Sequence, residues 1–227
     1  MGRAIVLLSG GMDSLVCAGE ALAAHREVYF LHMNYGQKTS KRERQSFYEI
    51  ALHYKVEASH QKVIDMAFLK QIGGSSLTDE KITVKAYQGD SDVIPDSYVP
   101  FRNSIILSLA VSWAEAVGAT TLYIGANHED SPGYPDCRPS YYEAFNRVIK
   151  EGTKAGDIRI VTPVISMKKS EIVLRGKELN VPFALSWSCY KNTEKACGEC
   201  DSCVLRLRGF REAGMTDPID YASVHSS

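Results

Sequence analysis

The sequence of 227 residues predicts an α/β protein built on a doubly wound parallel sheet. Short apolar stretches with the length of strands alternate along the chain with longer stretches that have helical periodicity. A glycine turn lies directly between the first apolar stretch and the first helical one. Because ligands in such sheets bind beyond the carboxyl ends of the strands, we expect the functional site at this turn.

The first strand is predicted over residues 4–8, which are all apolar, as in buried parallel strands. A turn with Gly10 and Gly11 follows it, and a helix begins after the turn. Backbone N–H groups of such a turn and the helix N-terminus bind phosphate, and glycine leaves room for the anion. Ser9 and Ser14 add hydroxyl donors, and Asp13 is placed to cap amides or hold Mg²⁺. Residues 9–14 therefore predict a phosphate site, and we call this segment the phosphate turn.

The remaining strands and helices are predicted from the same alternation. Strands are expected over residues 27–33, 61–64, 121–125 and 160–161, and helices over residues 40–54, 105–117, 141–154 and 171–179. Pro100 favours an extended entry to the helix at 105–117, with Asn103 or Ser104 as its cap. Residues 73–95 are rich in Gly, Ser, Asp and Lys and are long for a connection, so they are either disordered or a lid over substrate.

Basic and aromatic residues are predicted at the same end of the sheet as the glycine turn. Arg102 precedes the third helix, and Lys168 and Lys169 precede a later one, which brings positive charge to the phosphate end. The loop at 127–139 follows a strand and contains three prolines, which stiffen it. Its Tyr, Asp and Arg side chains suit the recognition of a planar polar ligand.

Four of the six cysteines fall within fifteen residues near the C-terminus: Cys189, Cys197, Cys200 and Cys203. The last three form two overlapping CxxC units, which allow their sulfurs to converge on one ion. Four thiolates without an open position indicate a structural zinc site. A pair of disulfides and an iron–sulfur cluster are the alternatives. We expect a helix after Cys203, reaching about Ala213, to pack against the main domain.

Composition favours a small-molecule substrate in the cytoplasm. The net charge is −1, whereas nucleic-acid-binding domains are usually basic. Arg206, Arg208 and Arg211 form a local basic patch, which we interpret as a solvated helix face. No apolar run approaches the roughly 20 residues that a membrane span needs, and no signal peptide precedes the first strand.

Residues Ser9-Gly10-Gly11-Met12-Asp13-Ser14 resemble the PP-loop, SGGxDS, of the ATP pyrophosphatases. Further matching blocks at residues 99–103 (VPFRN), 133–138 (GYPDCR) and 187–203 extend the resemblance over nearly the whole chain. On these blocks the chain is identified as a member of the QueC family of 7-cyano-7-deazaguanine (preQ0) synthases, within the PP-loop, adenine nucleotide alpha hydrolase-like superfamily. Phe101 is a departure, because the family more often has glycine there.

The resemblance implies a role for each matching position. ATP binding is implied for Leu8, Ser9, Gly10, Gly11, Met12, Asp13, Ser14, Leu15, Val16, Cys17, Ala18, Arg102 and Lys168. Substrate binding is expected for Phe101, Asp130, Tyr134, Asp136 and Arg138, and catalytic roles for Asp13 and Lys168. The four clustered cysteines would hold one structural Zn²⁺ per chain, and Mg²⁺ would accompany ATP. The implied domains are an ATP-binding domain at residues 1–184 and a small helical zinc-binding lobe at residues 185–227.

The implied activity is that of an ATP-dependent carbon–nitrogen ligase of queuosine biosynthesis. It converts 7-carboxy-7-deazaguanine and ammonia to the 7-nitrile, by adenylation of the carboxylate and then of the amide. Its partners would be ATP, ammonia and the carboxylate substrate, with no nucleic acid and no membrane, and the family suggests a homodimer. No glutaminase is visible, so ammonia comes free or from another protein.

Other functions remain open at the level of the sequence. The nearest alternatives are a PP-loop tRNA-modifying thiolase and another adenylating amide ligase. A thiolase is expected to be basic and to carry a reactive cysteine that binds no metal. A non-catalytic nucleotide-binding or zinc scaffold would not need a polar, aromatic loop beside the phosphate turn.

Overall fold

A five-stranded, all-parallel sheet forms the centre of the molecule, a computed structural model that describes residues 2–87, 89, 93–128 and 133–222. The strand order is β3-β2-β1-β4-β5, which places the first strand in the middle. The strands are β1 (Arg3–Leu7), β2 (Glu27–Asn34), β3 (Gln61–Asp65), β4 (Ala119–Ile124) and β5 (Arg159–Val161). The predicted parallel sheet is therefore confirmed, with strand ends within two residues of their expected positions.

Helices cover both faces of the sheet. They are α1 (Met12–Ala24), α2 (Ser40–His53), α3 (Arg102–Val117), α4 (Pro139–Gly152), α5 (Lys169–Glu178) and α6 (Asp201–Glu212). Side chains of β1 alternate between two buried clusters, as the pleat of a strand requires: Val6 packs with α1, α2, α5 and α6, whereas Ile5 packs with α3 and α4. Among the described residues, no helix combines the length and apolar character of a membrane span.

Helix α3 begins three residues earlier than predicted, at Arg102, so the expected cap at Asn103 or Ser104 is wrong. Phe101 occupies the N-cap position with φ of 54°, in the left-handed region that favours glycine. The Asp136 carboxylate instead accepts the Asn103 N–H at 3.3 Å. A residue from a distant loop therefore satisfies this helix end.

The described part of the stretch at 73–95 packs against the segment at residues 185–222, which we call the cysteine-rich lobe. Leu77 and Val84 are buried in one cluster with Trp187 and three of the cysteines. The backbone N–H of Tyr87 also donates to the Glu199 carbonyl at 2.9 Å. This part of the connection is packed rather than disordered, and its action as a lid stays a prediction.

Arg206 on α6 is buried with 1% exposure, so the predicted solvated face is wrong for this residue. Its guanidinium makes a bidentate pair with Asp217, at 2.7 and 2.9 Å, and donates to Ser186 Oγ at 2.7 Å. On the same helix, Phe210 packs into the main core. Helix α6 thus fastens the C-terminal segment to the sheet domain, and the boundary at 184/185 stays a prediction.

Candidate active site

The glycine turn joins β1 to α1 at the carboxyl end of the central strand. Gly10 has φ of 94°, and a Cβ atom there would lie 2.7 Å from the carbonyl oxygen of Glu43 on α2. The Ser9 hydroxyl accepts the Gly11 N–H at 3.2 Å and lies 3.0 Å from Ser14 Oγ. These contacts hold the turn open toward solvent-accessible space, with the first turn of α1 aimed at the same place. A turn of this kind suits an anion, and its binding of phosphate stays a prediction.

A cleft of about 280 Å³ opens at this turn. Its walls come from the ends of three strands, from the starts of α1, α3 and α5, and from the cysteine-rich lobe. Polar or aromatic side chains on these walls are Ser9, Asp13, Ser14, Tyr35, Glu43, Ser97, Arg102, Asn103, Asn127, Tyr134, Lys169, Trp187, Ser188, Tyr190, Ser202 and Arg206. The phosphate turn and Tyr134 of the predicted substrate loop thus share one cavity.

Asp13 pairs with Lys169 rather than with Lys168. Lys169 Nζ lies 2.7 Å from Asp13 Oδ2, while Asp13 Oδ1 is buried and has no partner among the described residues. Lys168 is exposed and outside the cleft, and its backbone N–H donates to Glu171 Oε2 at 2.7 Å. The free carboxylate oxygen of Asp13 suits a magnesium ion, because Mg²⁺ prefers oxygen ligands. The geometry favours Lys169 as the cation on the phosphates.

Gly125, directly after β4, allows the close approach of two segments that form the cleft. A Cβ atom at this position would lie 2.6 Å from the Ser14 backbone nitrogen and 2.7 Å from the Asp13 carbonyl carbon. The segment after β4 is anchored further by Asn127, whose side-chain amide donates to the Val164 and Met167 carbonyls at 2.9 and 2.6 Å. The sequence assigned no site role to either residue, although Gly125 ends a predicted strand and Asn127 begins the loop after it, on the usual ligand side of such sheets.

Arg102 reaches the cleft from the start of α3. Its guanidinium donates to the Tyr35 hydroxyl at 3.1 Å and lies 4.9 Å from the centre of that ring. Its buried Nε has no partner among the described residues, so a donor remains for a ligand. Across the cleft, the Tyr134 hydroxyl lies 2.5 Å from Ser97 Oγ, which fixes the ring beside the cavity.

Asp136 and Cys137 lie next to each other at the side of the cleft. Asp136 is 4% exposed and is not itself on the cleft wall, and its Oδ1 has no partner among the residues described. Burial raises the pKa of this carboxyl, although the nearby Arg102 charge and the hydrogen bond from the Asn103 N–H each act to lower it. Burial also raises the pKa of the Cys137 thiol, to about 12, so Cys137 is a neutral thiol at physiological pH.

Several predicted site residues lie outside the cleft. Leu15, Val16, Cys17 and Ala18 have no exposed surface and pack in the main core behind the phosphate turn. Phe101 is 63% exposed, and Arg138 is exposed before α4, neither on the cleft wall. Asp130 falls outside the described residues. The ligand contacts of all these residues stay predictions.

The four clustered cysteines meet at one point in the lobe. Their sulfur atoms all lie within 4.8 Å of one another, and Sγ of Cys197 and Cys203 are 3.8 Å apart. A tetrahedral zinc site with Zn–S bonds of about 2.3 Å requires sulfurs about 3.8 Å apart, so the residues fit this ion. Hydrogen bonds from Cys200 and Cys203, and from backbone N–H groups, lower the pKa of Cys189, which favours the thiolate. The cluster can hold a metal ion.

The lobe contacts the phosphate turn directly. The backbone N–H of Trp187 donates to the Gly10 carbonyl at 2.8 Å. The Trp187 ring is covered in turn by the Arg42 guanidinium at 4.8 Å. A metal that orders the cysteine cluster would therefore also help to order the turn.

Proteins of known family resemble this chain over nearly its whole length. The family described as "Queuosine biosynthesis protein QueC" matches residues 3–214. The chain belongs to the QueC family. A 7-cyano-7-deazaguanine synthase of Chlorobium chlorochromatii is 57% identical over 220 residues, covering 96% of each chain. One from Koribacter versatilis is 51% identical over 224 residues, covering 97% of this chain and 94% of that relative.

A solved structure of a 4-thiouridine synthetase–RNA complex with bound ATP also aligns with this QueC family member. The alignment covers 78% of this chain and 40% of that one, at 20% identity and a TM-score of 0.49. The relatives named above, by contrast, match this chain over nearly their whole length.

The two neighbouring lysines allow a direct comparison. We expect Lys169→Met to slow adenylation by about 10²-fold, because it removes a cation from the developing phosphate charge. Lys168→Met should cause a much smaller loss, since that side chain is exposed and outside the cleft. The rate of carboxylate-dependent ATP–pyrophosphate exchange measures both effects, and a larger loss in Lys168→Met would return the role to Lys168.

Proposed function

We propose that this chain uses ATP to convert 7-carboxy-7-deazaguanine and ammonia to 7-cyano-7-deazaguanine. The observation that carries this proposal is the match to synthases of that product, at more than half identity over nearly the full length. The cleft is consistent with it, because the turn at residues 9–14, three cationic side chains and a set of aromatic rings line it. An enzyme that transfers adenylate to the carboxylate of a planar base needs this combination.

The chemistry explains why ATP is required. A carboxylate does not react usefully with ammonia, because oxide is a very poor leaving group. When a carboxylate oxygen attacks the α-phosphorus, pyrophosphate leaves and that oxygen becomes part of AMP. Ammonia then forms the C–N bond as the C–O bond to AMP breaks, and an amide results. A second adenylation on the amide oxygen lets AMP leave again as two N–H protons are lost, so two ATP give one nitrile.

The residues of the cleft have separate roles in this scheme. We propose that the turn at residues 9–14 binds the pyrophosphate part of ATP and that Asp13 holds Mg²⁺, which would neutralise phosphate charge when bound. Lys169 and Arg102 stabilise negative charge as the α-phosphorus is attacked. Tyr134 packs against the bicyclic base. The guanine-like edge of the base presents two N–H donors, and the acceptor we propose for them is the unpartnered Oδ1 of Asp136, just behind the cleft wall.

Asp136→Asn should raise the KM for 7-carboxy-7-deazaguanine about 10- to 100-fold, the value of a hydrogen bond to a charged group. The KM for ATP should change little. Asparagine also caps helices, so the role of Asp136 at the start of α3 is largely preserved. Steady-state kinetics with each substrate varied in turn measure the two constants. Equal losses for both substrates, with a lower melting temperature, would make Asp136 a structural residue only.

We also propose that the metal of the lobe is zinc and that it is structural. Four thiolate ligands leave no position open for substrate, which is the pattern of closed zinc sites. A homodimer in the cytoplasm is proposed from the resemblance alone. Zinc analysis and light scattering on the purified protein test these points.

One reaction mixture separates the proposed function from its alternatives. The protein is incubated with ATP, ammonia and 7-carboxy-7-deazaguanine, and the products are analysed by mass spectrometry. The proposed function predicts the nitrile and AMP. An amide that the enzyme releases and does not convert would favour an ordinary amide ligase. No carboxylate-dependent ATP use would favour a tRNA-modifying thiolase, and a second mixture with tRNA in place of the carboxylate then tests for tRNA-dependent ATP use.

A further inference from the structure

Glu43 is an acidic side chain in the cleft that no motif includes. It lies on α2 and lines the cleft together with Tyr35 and Arg102. Its main chain contacts the phosphate turn, since a Cβ atom on Gly10 would lie 2.7 Å from the Glu43 carbonyl oxygen. The carboxylate is therefore close to the place where ATP and substrate must react.

Two buried, neutral side chains hold this carboxylate in one orientation. Thr39 Oγ1 donates to Glu43 Oε1 at 2.7 Å, and Gln37 Nε2 donates to Glu43 Oε2 at 2.8 Å. The Gln37 amide is fixed in turn, because its Oε1 accepts the Tyr35 N–H at 3.0 Å. Thr39 and Gln37 are 2% and 4% exposed. This arrangement places Glu43 more firmly than a surface acid would be placed.

The carboxylate has no cationic partner in the described part of the chain. Arg102, the arginine that interacts with Glu43 electrostatically, donates to Tyr35 and Asn103 instead. A carboxylate has about four acceptor sites, of which the two neutral donors use two. Burial raises the pKa of Glu43, although the hydrogen bonds from Thr39 and Gln37 act to lower it. A buried acid in this state stabilises a small cation or accepts a proton.

We propose that the Glu43 carboxylate binds ammonium in the cleft and acts as the base that removes its protons. This inference rests on the proposed function. Ammonia is mostly ammonium at neutral pH and must lose a proton before its lone pair can attack. The aromatic ring of Tyr190 also lines the cleft, and a ring of this kind favours a compact cation.

The proton balance shows why one base at one position suffices. Ammonium gives one proton to Glu43, and the resulting ammonia forms the C–N bond as AMP leaves with the electron pair of the C–O bond. The nitrogen loses a second proton to give the amide. In the second round it loses its last two protons as the C≡N bond forms and the second AMP leaves. All four protons leave the same nitrogen, and Glu43 passes each one to water.

Magnesium is the other cation that a carboxylate beside ATP could bind, and partial reactions distinguish the two. Carboxylate-dependent ATP–pyrophosphate exchange needs magnesium but no ammonia. We therefore expect Glu43→Gln to keep wild-type exchange while its ammonia-dependent formation of nitrile at pH 7 falls about 10²- to 10⁴-fold, the usual contribution of a general base. Glu57→Gln, at an exposed position after the same helix and outside the cleft, is the control and should behave like wild type.

Two further measurements isolate the proton transfer. Hydroxylamine is mostly unprotonated at neutral pH and needs no base before it attacks, so Glu43→Gln should lose much less of its rate of hydroxamate formation than of its rate of nitrile formation. Raising the pH should restore part of the ammonia-dependent rate of the variant, because more free ammonia is present. The charged and titratable groups that face Glu43 are Arg102 and Tyr35, and burial raises the pKa of Tyr35 to about 12, so neither titrates in this range.

Loss of pyrophosphate exchange in Glu43→Gln would overturn this proposal, because the side chain would then act on ATP, magnesium or the fold. Equal losses with hydroxylamine and ammonia would also overturn it. If the wild-type protein itself forms no nitrile, the proposed function fails, and the control reaction shows this before any variant is compared.

Discussion

Gly10→Ala is expected to abolish adenylation almost completely while the sheet still folds. Gly10 has φ of 94°, and the added Cβ would lie 2.7 Å from the Glu43 carbonyl oxygen. This oxygen belongs to the backbone, so it cannot relieve the clash by a side-chain rotation. The phosphate turn or the start of α2 must therefore move. Displacements of about 1 Å at a reacting site cost about 10²-fold in rate, so we expect at least this loss in ATP–pyrophosphate exchange.

Gly214→Ala is the matched control for this substitution. Gly214 also has a positive φ, of 68°, but a Cβ there would meet nothing within 4 Å. Both variants carry the cost of a left-handed alanine, about 1–3 kcal/mol, and only Gly10→Ala adds the clash. Equal exchange rates in the two variants would show that the turn does not hold ATP in the way proposed.

Cys200→Ala is expected to release the metal and destabilise the protein by more than about 4 kcal/mol, as loss of a structural metal usually does. For a chain of this size, that corresponds to a decrease in Tm of roughly 8–16 °C. The phosphate turn should also lose order, because the backbone N–H of Trp187 donates to the Gly10 carbonyl. We therefore expect ATP–pyrophosphate exchange to fall as well. Thermal unfolding and metal analysis of the same sample measure both effects.

Cys17→Ala provides the comparison, since Cys17 and Cys200 are both fully buried. This variant loses the same sulfur atom from the core but should retain one zinc per chain. If Cys200→Ala also retained the zinc and melted at the temperature of Cys17→Ala, the cysteine cluster would not be a metal site. Treatment of the wild-type protein with a strong chelator should reproduce the loss seen in Cys200→Ala.

Features set by neighbouring residues could be predicted from the sequence. The apolar run before Gly10, the turn itself and the CxxC spacing are local patterns, and the structure contains the strand, the turn and the convergent sulfurs that they predict. The family resemblance rests on the same local blocks. This is why the fold class and the position of the cleft followed from sequence.

Features set by contacts between distant segments could not be predicted. The start of α3 depends on the Asp136 carboxylate, and the burial of Arg206 depends on Asp217, which pairs with it. The difference between Lys168 and Lys169 depends on packing between helices: a Cβ atom on Gly209 of α6 would lie 2.6 Å from the Lys169 Cβ. No periodicity or spacing in the sequence contains this information.

The central claim is that both oxygens of the substrate carboxylate leave as part of AMP. The most direct test uses 7-carboxy-7-deazaguanine with ¹⁸O in both carboxylate positions and mass analysis of the nucleotide and the solvent. We expect two molecules of AMP for each nitrile, and each AMP should carry one ¹⁸O atom. Label in inorganic phosphate formed together with ADP, or label released into water, would contradict the account.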